Sequence, residues 1–139
     1  MFGRHCLKTY SHTQETIALS SGESEFYGIV RAATQGLGVK GLLSDLGVEV
    51  SLQVSTDSSA AKSIASRGGA GKVRHIEVRE LWVQERVAKG ELIIKKARGE
   101  DNLADGLTKH VSREILDRRI ANMGFAVRFG KRPLCPHLG

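Results

Sequence analysis

The sequence predicts an α/β fold on three observations. A long run from Ser21 to Leu46 places apolar residues at helical spacing. Two short β-prone stretches, "SLQVSTD" and "ELIIKKA", are separated by helix-forming sequence, and glycine supplies the punctuation, since no proline occurs before Pro133. Taken in order, the elements read strand, helix, strand, helix, helix, strand, helix, a pattern expected to put helices against a sheet.

Cys6 to Tyr10 and Thr16 to Leu19 are extended in character and read as one strand and a short lead-in around "SHTQE". From Ser21 the spacing of Phe26, Val30, Ala33, Leu37, Leu42, Leu43 and Leu46 predicts a helix. Gly36, Gly38 and Gly41 each weaken it by about 1 kcal/mol relative to alanine, and Gly47 is its expected stop. Leu52, Val54 and Thr56 alternate with polar neighbours, predicting a half-buried strand that ends at Asp57. The helix "SSAAKSIAS" follows, closed by Gly68 and Gly69. Beyond the loop "RGGAGKVRH", Ile76, Trp82, Val83 and Val87 predict an amphipathic helix from His75 to Lys89. "ELIIKKA" reads as the last strand, Asp101 to His110 and Arg113 to Asn122 as helices, and the basic end from Arg128 as loose chain.

The 139 residues match one ordinary domain. Lys and Arg number 21 against 15 Asp and Glu, giving a formal charge of +6 and a pI near 9.6. That bias makes nucleic acid the first partner to test, and an aromatic content of 5% argues against binding dominated by base stacking. Cys6 and Cys135 lie near opposite ends, which excludes a disulfide framework and fits a reducing compartment. The closing "CPHLG" supplies at most half of a four-ligand zinc site. No apolar run reaches the roughly 18 residues of a membrane span, and Arg4, His5 and Lys8 interrupt any signal-peptide core. An intracellular location, cytoplasmic or nuclear, without a membrane partner, is expected.

Three acidic residues stand at predicted element ends: Glu23 opens a helix, Asp57 closes a strand and Asp105 opens a late helix. Each has a structural reading. Ser20-Ser21-Gly22-Glu23 matches the capping box, Asp57 is placed to cap the helix after it, and Asp105 suits a solvated helix face. Together they have a chemical reading, because strand ends and helix starts in an α/β sheet converge on the edge where ligands sit. Several carboxylates there would suit hard divalent cations, two of which about 4 Å apart clamp an in-line phosphoryl displacement.

From Cys6 to about Asn122 the chain resembles the ribonuclease H domain of copia-type retrotransposon polyproteins. That family's "SWKSKKQ…VALSSTEAEY", "DN.SA", "R.KHID…F.RE.V..G" and "..AD..TK" correspond in order and spacing to "KTYSHTQETIALSSGESEFYG", "TDSSAAKSIA", "VRHIEVRELWVQERVAKGELI" and "EDNLADGLTKHV". The resemblance implies a partial ribonuclease H-like domain over residues 4–122, a mixed sheet flanked by helices, and a basic, flexible tail over 123–139. It implies Mg²⁺ or Mn²⁺ held by Glu23, Asp57 and Asp105, and hydrolysis of the RNA strand of RNA–DNA hybrids. Glu25 sits about 200° round the helix from Glu23, where it serves the surface or a hydrogen bond.

Arg67, Lys72, Arg74, His75, Arg79, Lys95, Lys96 and Arg98 are the candidate contacts to nucleic-acid phosphates, with a solvated charged surface as the alternative for each. His75 also suits a structural place in its basic turn. The family's first strand, with its central Asp, and the strand after it have no counterpart here, so the fold is expected to be incomplete and the chain deficient in catalysis by itself. An upstream reverse transcriptase segment of the same polyprotein is the expected partner. A non-catalytic relic that binds nucleic acid or a protein, and a purely structural fragment, are the competing readings.

Overall fold

A computed structural model describes residues 1–3, 5–14, 17–69, 76, 80–99, 102–104 and 110–125. The chain divides into two compact units, His12–Asn102 and the pair of segments Met1–Ser11 and Leu103–Gly139.

The larger unit is α/β. Helix α1 spans Ser21–Asp45, strand β1 Leu52–Thr56, helix α2 Ser59–Ser66, helix α3 Trp82–Ala88 and strand β2 Leu92–Lys96. The two strands pair in parallel, in register from Leu52 with Leu92 to Thr56 with Lys96. Parallel neighbours need a long crossover, and α2 and α3 lie within it. Where a mixed sheet was expected, the described residues form this two-stranded parallel sheet alone.

Alternation along the strands decides where the core lies. Val54, Leu92 and Ile94 are buried with Phe26, Ile29, Val30 and Ala33 of α1, Ala61, Ile64 and Ala65 of α2, Val83 of α3, and Ile76. Gln53, Ser55, Ile93 and Lys95 face the opposite way and are exposed. Gln84 ties α3 to the end of α2, its amide donating to the carbonyls of Ile64 (2.8 Å) and Gly69 (3.0 Å).

Helix α1 persists through its glycines, as packing of its first half allows. Leu46 caps it, and Gly47 then turns the chain at φ +77°, the expected stop. Its apolar residues do not form one buried face. Phe26, Val30 and Ala33 are buried, whereas Leu42 is 61% and Leu46 71% exposed. The reason is length. Twenty-five residues make a rod of about 37 Å, and five-residue strands reach only about 17 Å, so the far half of α1 runs past the sheet.

Gly22 packs α1 against α2: a Cβ there would lie 2.9 Å from the Cβ of Ala60. Gly38 and Gly41 have no neighbour within 4 Å of such a Cβ. Gly38→Ala and Gly41→Ala are therefore expected to stabilise the unit by about 0.5–1 kcal/mol each through helix propensity. Gly22→Ala should lose that gain to the clash, and urea midpoints compare all three.

Other expectations are corrected. Cys6–Tyr10 is not a strand; Leu7 and Tyr10 are exposed, and the Cys6 amide donates to the Met123 carbonyl (3.1 Å) within the smaller unit. The helix expected from His75 begins at Trp82, with Ile76 in a bend and Leu81 as N-cap. Ile76 serves the core from a bend, outside helix α3. Asn102–Ala104 and His110 are not helical, and the rest of the expected Asp101–His110 helix lies outside the described residues. In the smaller unit, helix α4 covers Arg113–Asn122 as expected, with Ser112 as N-cap.

Surface ion pairs decorate α3. Lys89 donates to Glu85 one turn away (2.6 Å), and that hydrogen bond, helped by the lysine charge, lowers the Glu85 carboxyl below its ordinary value. Arg86 pairs with Glu91 with the same effect on Glu91, again chiefly through the hydrogen bond. Such exposed pairs add little stability.

Candidate functional site

The C-terminal end of the parallel sheet is where side chains from strand ends and helix starts meet. Thr56, buried, ends β1 and accepts the Ser58 amide on its Oγ1 (3.1 Å). Ser58 is the N-cap of α2: its Oγ accepts the Ala61 amide (3.1 Å) and its carbonyl the Lys62 amide (3.1 Å). Asp57 between them is thereby excused from capping. Its side chain is half-buried and has no hydrogen-bond or ion-pair partner among the described residues.

Glu23 is placed differently. Ser20 is the N-cap of α1, its Oγ accepting the Glu23 amide (3.2 Å). The Glu23 carboxylate folds back to accept the Leu19 amide on Oε2 (2.9 Å), one residue beyond the usual capping-box donor. Its other oxygen, Oε1, accepts the Tyr27 hydroxyl (3.2 Å). The residue is 1% exposed. Sequence reading missed Tyr27, although its i,i+4 spacing from Glu23 is the signal that puts the two on one helix face. Glu25 is exposed on another face.

The two carboxylates flank one helix contact. Gly22, next to Glu23, meets Ala60, three residues past Asp57, so the first turns of α1 and α2 touch. Both helices point their positive ends toward this region, which favours anionic side chains there. Asp105 lies outside the described residues, and no cluster of three His, Cys, Asp or Glu able to hold a metal ion occurs among those described.

As donors, both carboxylates offer the hard oxygen that Mg²⁺ prefers. Asp57 fits such an ion as it stands. Glu23 fits by type, but in its capped arrangement it presents no oxygen to a hydrated cation.

Of the expected phosphate contacts, Lys95, Lys96 and Arg98 are exposed on and just after β2, and the Lys96 ammonium reaches Ser59 Oγ at the start of α2. Arg67 is half-buried as the C-cap of α2. Lys72, Arg74, His75 and Arg79 lie outside the described residues. A shallow groove of about 360 Å³, lined by Lys40, Glu49, Ser51, Leu52, Glu91 and Ile93 among others, lies at the opposite end of the strands and contains none of the predicted residues. No helix among the described residues is long and apolar enough to cross a membrane.

Comparison with known proteins gives the chain relatives but no fold template. It is 29% identical over 114 residues to the retrovirus-related Pol polyprotein from transposon TNT 1-94 of Nicotiana tabacum, covering 81% of the chain and 9% of that protein. It is 25% identical over 140 aligned positions to the retrovirus-related Pol polyprotein from transposon RE2 of Arabidopsis thaliana, covering 99% of the chain and again 9% of the relative. No family model matches the chain, and no solved structure matches it. Both of these relatives are retrovirus-related Pol polyproteins of plant transposons, and the chain spans less than a tenth of the length of either.

Proposed function

We propose that the chain is a ribonuclease H-like region of a retroelement Pol polyprotein, which in complete form hydrolyses the RNA strand of RNA–DNA hybrids with Mg²⁺ or Mn²⁺ during reverse transcription. The observation that carries this reading is Asp57: a carboxylate at the C-terminal end of a parallel strand, whose capping duty is taken by Ser58 and whose side chain is left without a described partner. A structural cap would not leave it so. The similarity to transposon Pol polyproteins and the order of the four motifs point the same way.

Asp57 would hold a divalent cation, with Glu23 as a second oxygen ligand and Asp105 assigned by the "EDNLADGLTKHV" motif alone. Ions bound to such carboxylates supply an activated water and stabilise both the attacking and the leaving oxygen of a phosphodiester. The chain's own part is to orient the nucleic acid. Lys95 and Arg98, exposed beside the same sheet end, would contact backbone phosphates without reading bases. A second reading, a relic that binds nucleic acid without metal, draws support from the enclosure of Glu23.

A Mg²⁺ titration followed by amide resonances separates the two. The catalytic reading expects saturable shifts at Asp57 and Ser58 that Asp57→Asn removes while the fold persists; equal responses from both chains would refute it. Binding to a hybrid should weaken with salt, and Lys95→Ala with Arg98→Ala should reduce the slope of log affinity against log salt by about 2.

A further inference from the structure

We propose that Tyr27 is a positioning residue that sets which of two roles Glu23 plays. Its hydroxyl holds the carboxylate in the helix-capping arrangement, and breaking that hydrogen bond lets Glu23 join Asp57 in binding a divalent cation. The inference rests on the reading of Asp57 given above.

Both Glu23 oxygens are engaged, Oε1 by the Tyr27 hydroxyl at 3.2 Å and Oε2 by the Leu19 amide at 2.9 Å. The holding group is itself enclosed: Tyr27 is 8% exposed, and its ring lies 6.2 Å from that of Phe26, so the hydroxyl is delivered from a fixed frame. Mg²⁺ gives up its waters reluctantly and bonds oxygens it can reach in near-octahedral array. A carboxylate 1% exposed, with each oxygen already turned to a protein donor, has to be uncovered before a hydrated cation can reach it. Glu23 adjoins, and Asp57 closely precedes, the place where Gly22 meets Ala60, so both carboxylates belong to the touching first turns of α1 and α2.

The apparent affinity for a cation is then lowered by the fraction of molecules in which Glu23 is released. At an ordinary net hydrogen-bond contribution, removing the phenolic donor should raise that fraction by up to about tenfold. Tyr27→Phe keeps the ring and its packing while removing only the hydroxyl.

The test is a Mg²⁺ titration of the full chain, its Tyr27→Phe variant and its Tyr27→Phe, Glu23→Gln double variant, followed at the Leu19 and Ser58 amides. The expected result is tighter Mg²⁺ binding by Tyr27→Phe, by up to about tenfold, a gain lost in the double variant, whose Gln side chain is a weak ligand. In the unaltered chain, the Leu19 amide should move with Ser58 as Glu23 lets it go. Unchanged or weaker binding by Tyr27→Phe overturns the proposal, as does a Leu19 amide that stays still while Ser58 titrates. The second measurement needs no variant to fold. A Ser58 amide indifferent to Mg²⁺ in every chain refutes the Asp57 reading and this inference with it, whereas a responsive Ser58 with an indifferent Tyr27→Phe refutes this inference alone.

Discussion

Phe26→Ala is expected to cost the larger unit about 3–5 kcal/mol, which would leave only about 0–2 kcal/mol if its stability lies at the low end of the usual 5–15 kcal/mol. Phe26 is fully buried, among the largest side chains in the core, and packs among residues from both strands and α2. Its neighbours in the core come from three helices and both strands, so truncation leaves a cavity whose cost adds to the lost transfer energy. Phe125, 50% exposed, supplies the control: its alanine variant should fall within about 0.5 kcal/mol of the parent. Urea unfolding read by circular dichroism compares the two. A loss below about 1 kcal/mol for Phe26→Ala would mean that α1 does not organise this core.

How far the sequence foretells the molecule depends on whether a signal is local. Capping chemistry is local: Ser20 and Gly47 do what their spacing predicts, and Glu23 folds back as a capping-box residue would, though onto the Leu19 amide. The strands are legible because Leu52, Val54 and Thr56 alternate with polar residues and Leu92 and Ile94 pair across from them. What fails is what depends on neighbours. Leu42 and Leu46 have core-like spacing but lie beyond the strands that would cover them. Leu7 and Tyr10 have strand-like character but no strand beside them among the described residues.

The candidate site divides along the same line. Asp57 and Ser58 are adjacent and both fit a cap by type; only the fold shows that Ser58 takes the Ala61 amide and leaves Asp57 uncommitted. For Glu23 the two readings meet in one side chain. The sequence names the cap, and the structure adds the tyrosine that helps hold it. The motif that contains Asp105 was found through resemblance, and its place relative to the others is beyond what composition or periodicity encodes.

Gln84→Glu is expected to destabilise the larger unit by about 3–5 kcal/mol at neutral pH, although it exchanges one NH₂ for one oxygen. Gln84 is 7% exposed and spends both hydrogens of its amide on the carbonyls of Ile64 and Gly69, at 2.8 and 3.0 Å. The Ile64 carbonyl lies in the last turn of α2, where no later residue of the helix accepts responsibility for it, so this side chain substitutes for a missing backbone donor. An ionised glutamate has no hydrogen to give. Two contacts become oxygen against oxygen, and a charge is enclosed without a partner.

Gln84→Leu separates these terms, since it removes both hydrogen bonds without adding charge and should cost about 2–3 kcal/mol. The pH dependence fixes the sign of the remainder. Burial against two carbonyls raises the carboxyl pKa of the variant in the folded state above its unfolded value of about 4.3, because the protonated form can donate one bond and carries no charge. The charge penalty is therefore complete above the raised folded pKa, shrinks as pH falls through it, and vanishes below about 4. Thermal unfolding at pH 7 and pH 4 should show Gln84→Glu approaching Gln84→Leu at the lower value, each measured against the parent chain at the same pH. A Gln84→Glu chain as stable as the parent at pH 7 would show that the bridge from α3 to the end of α2 is not what holds them together.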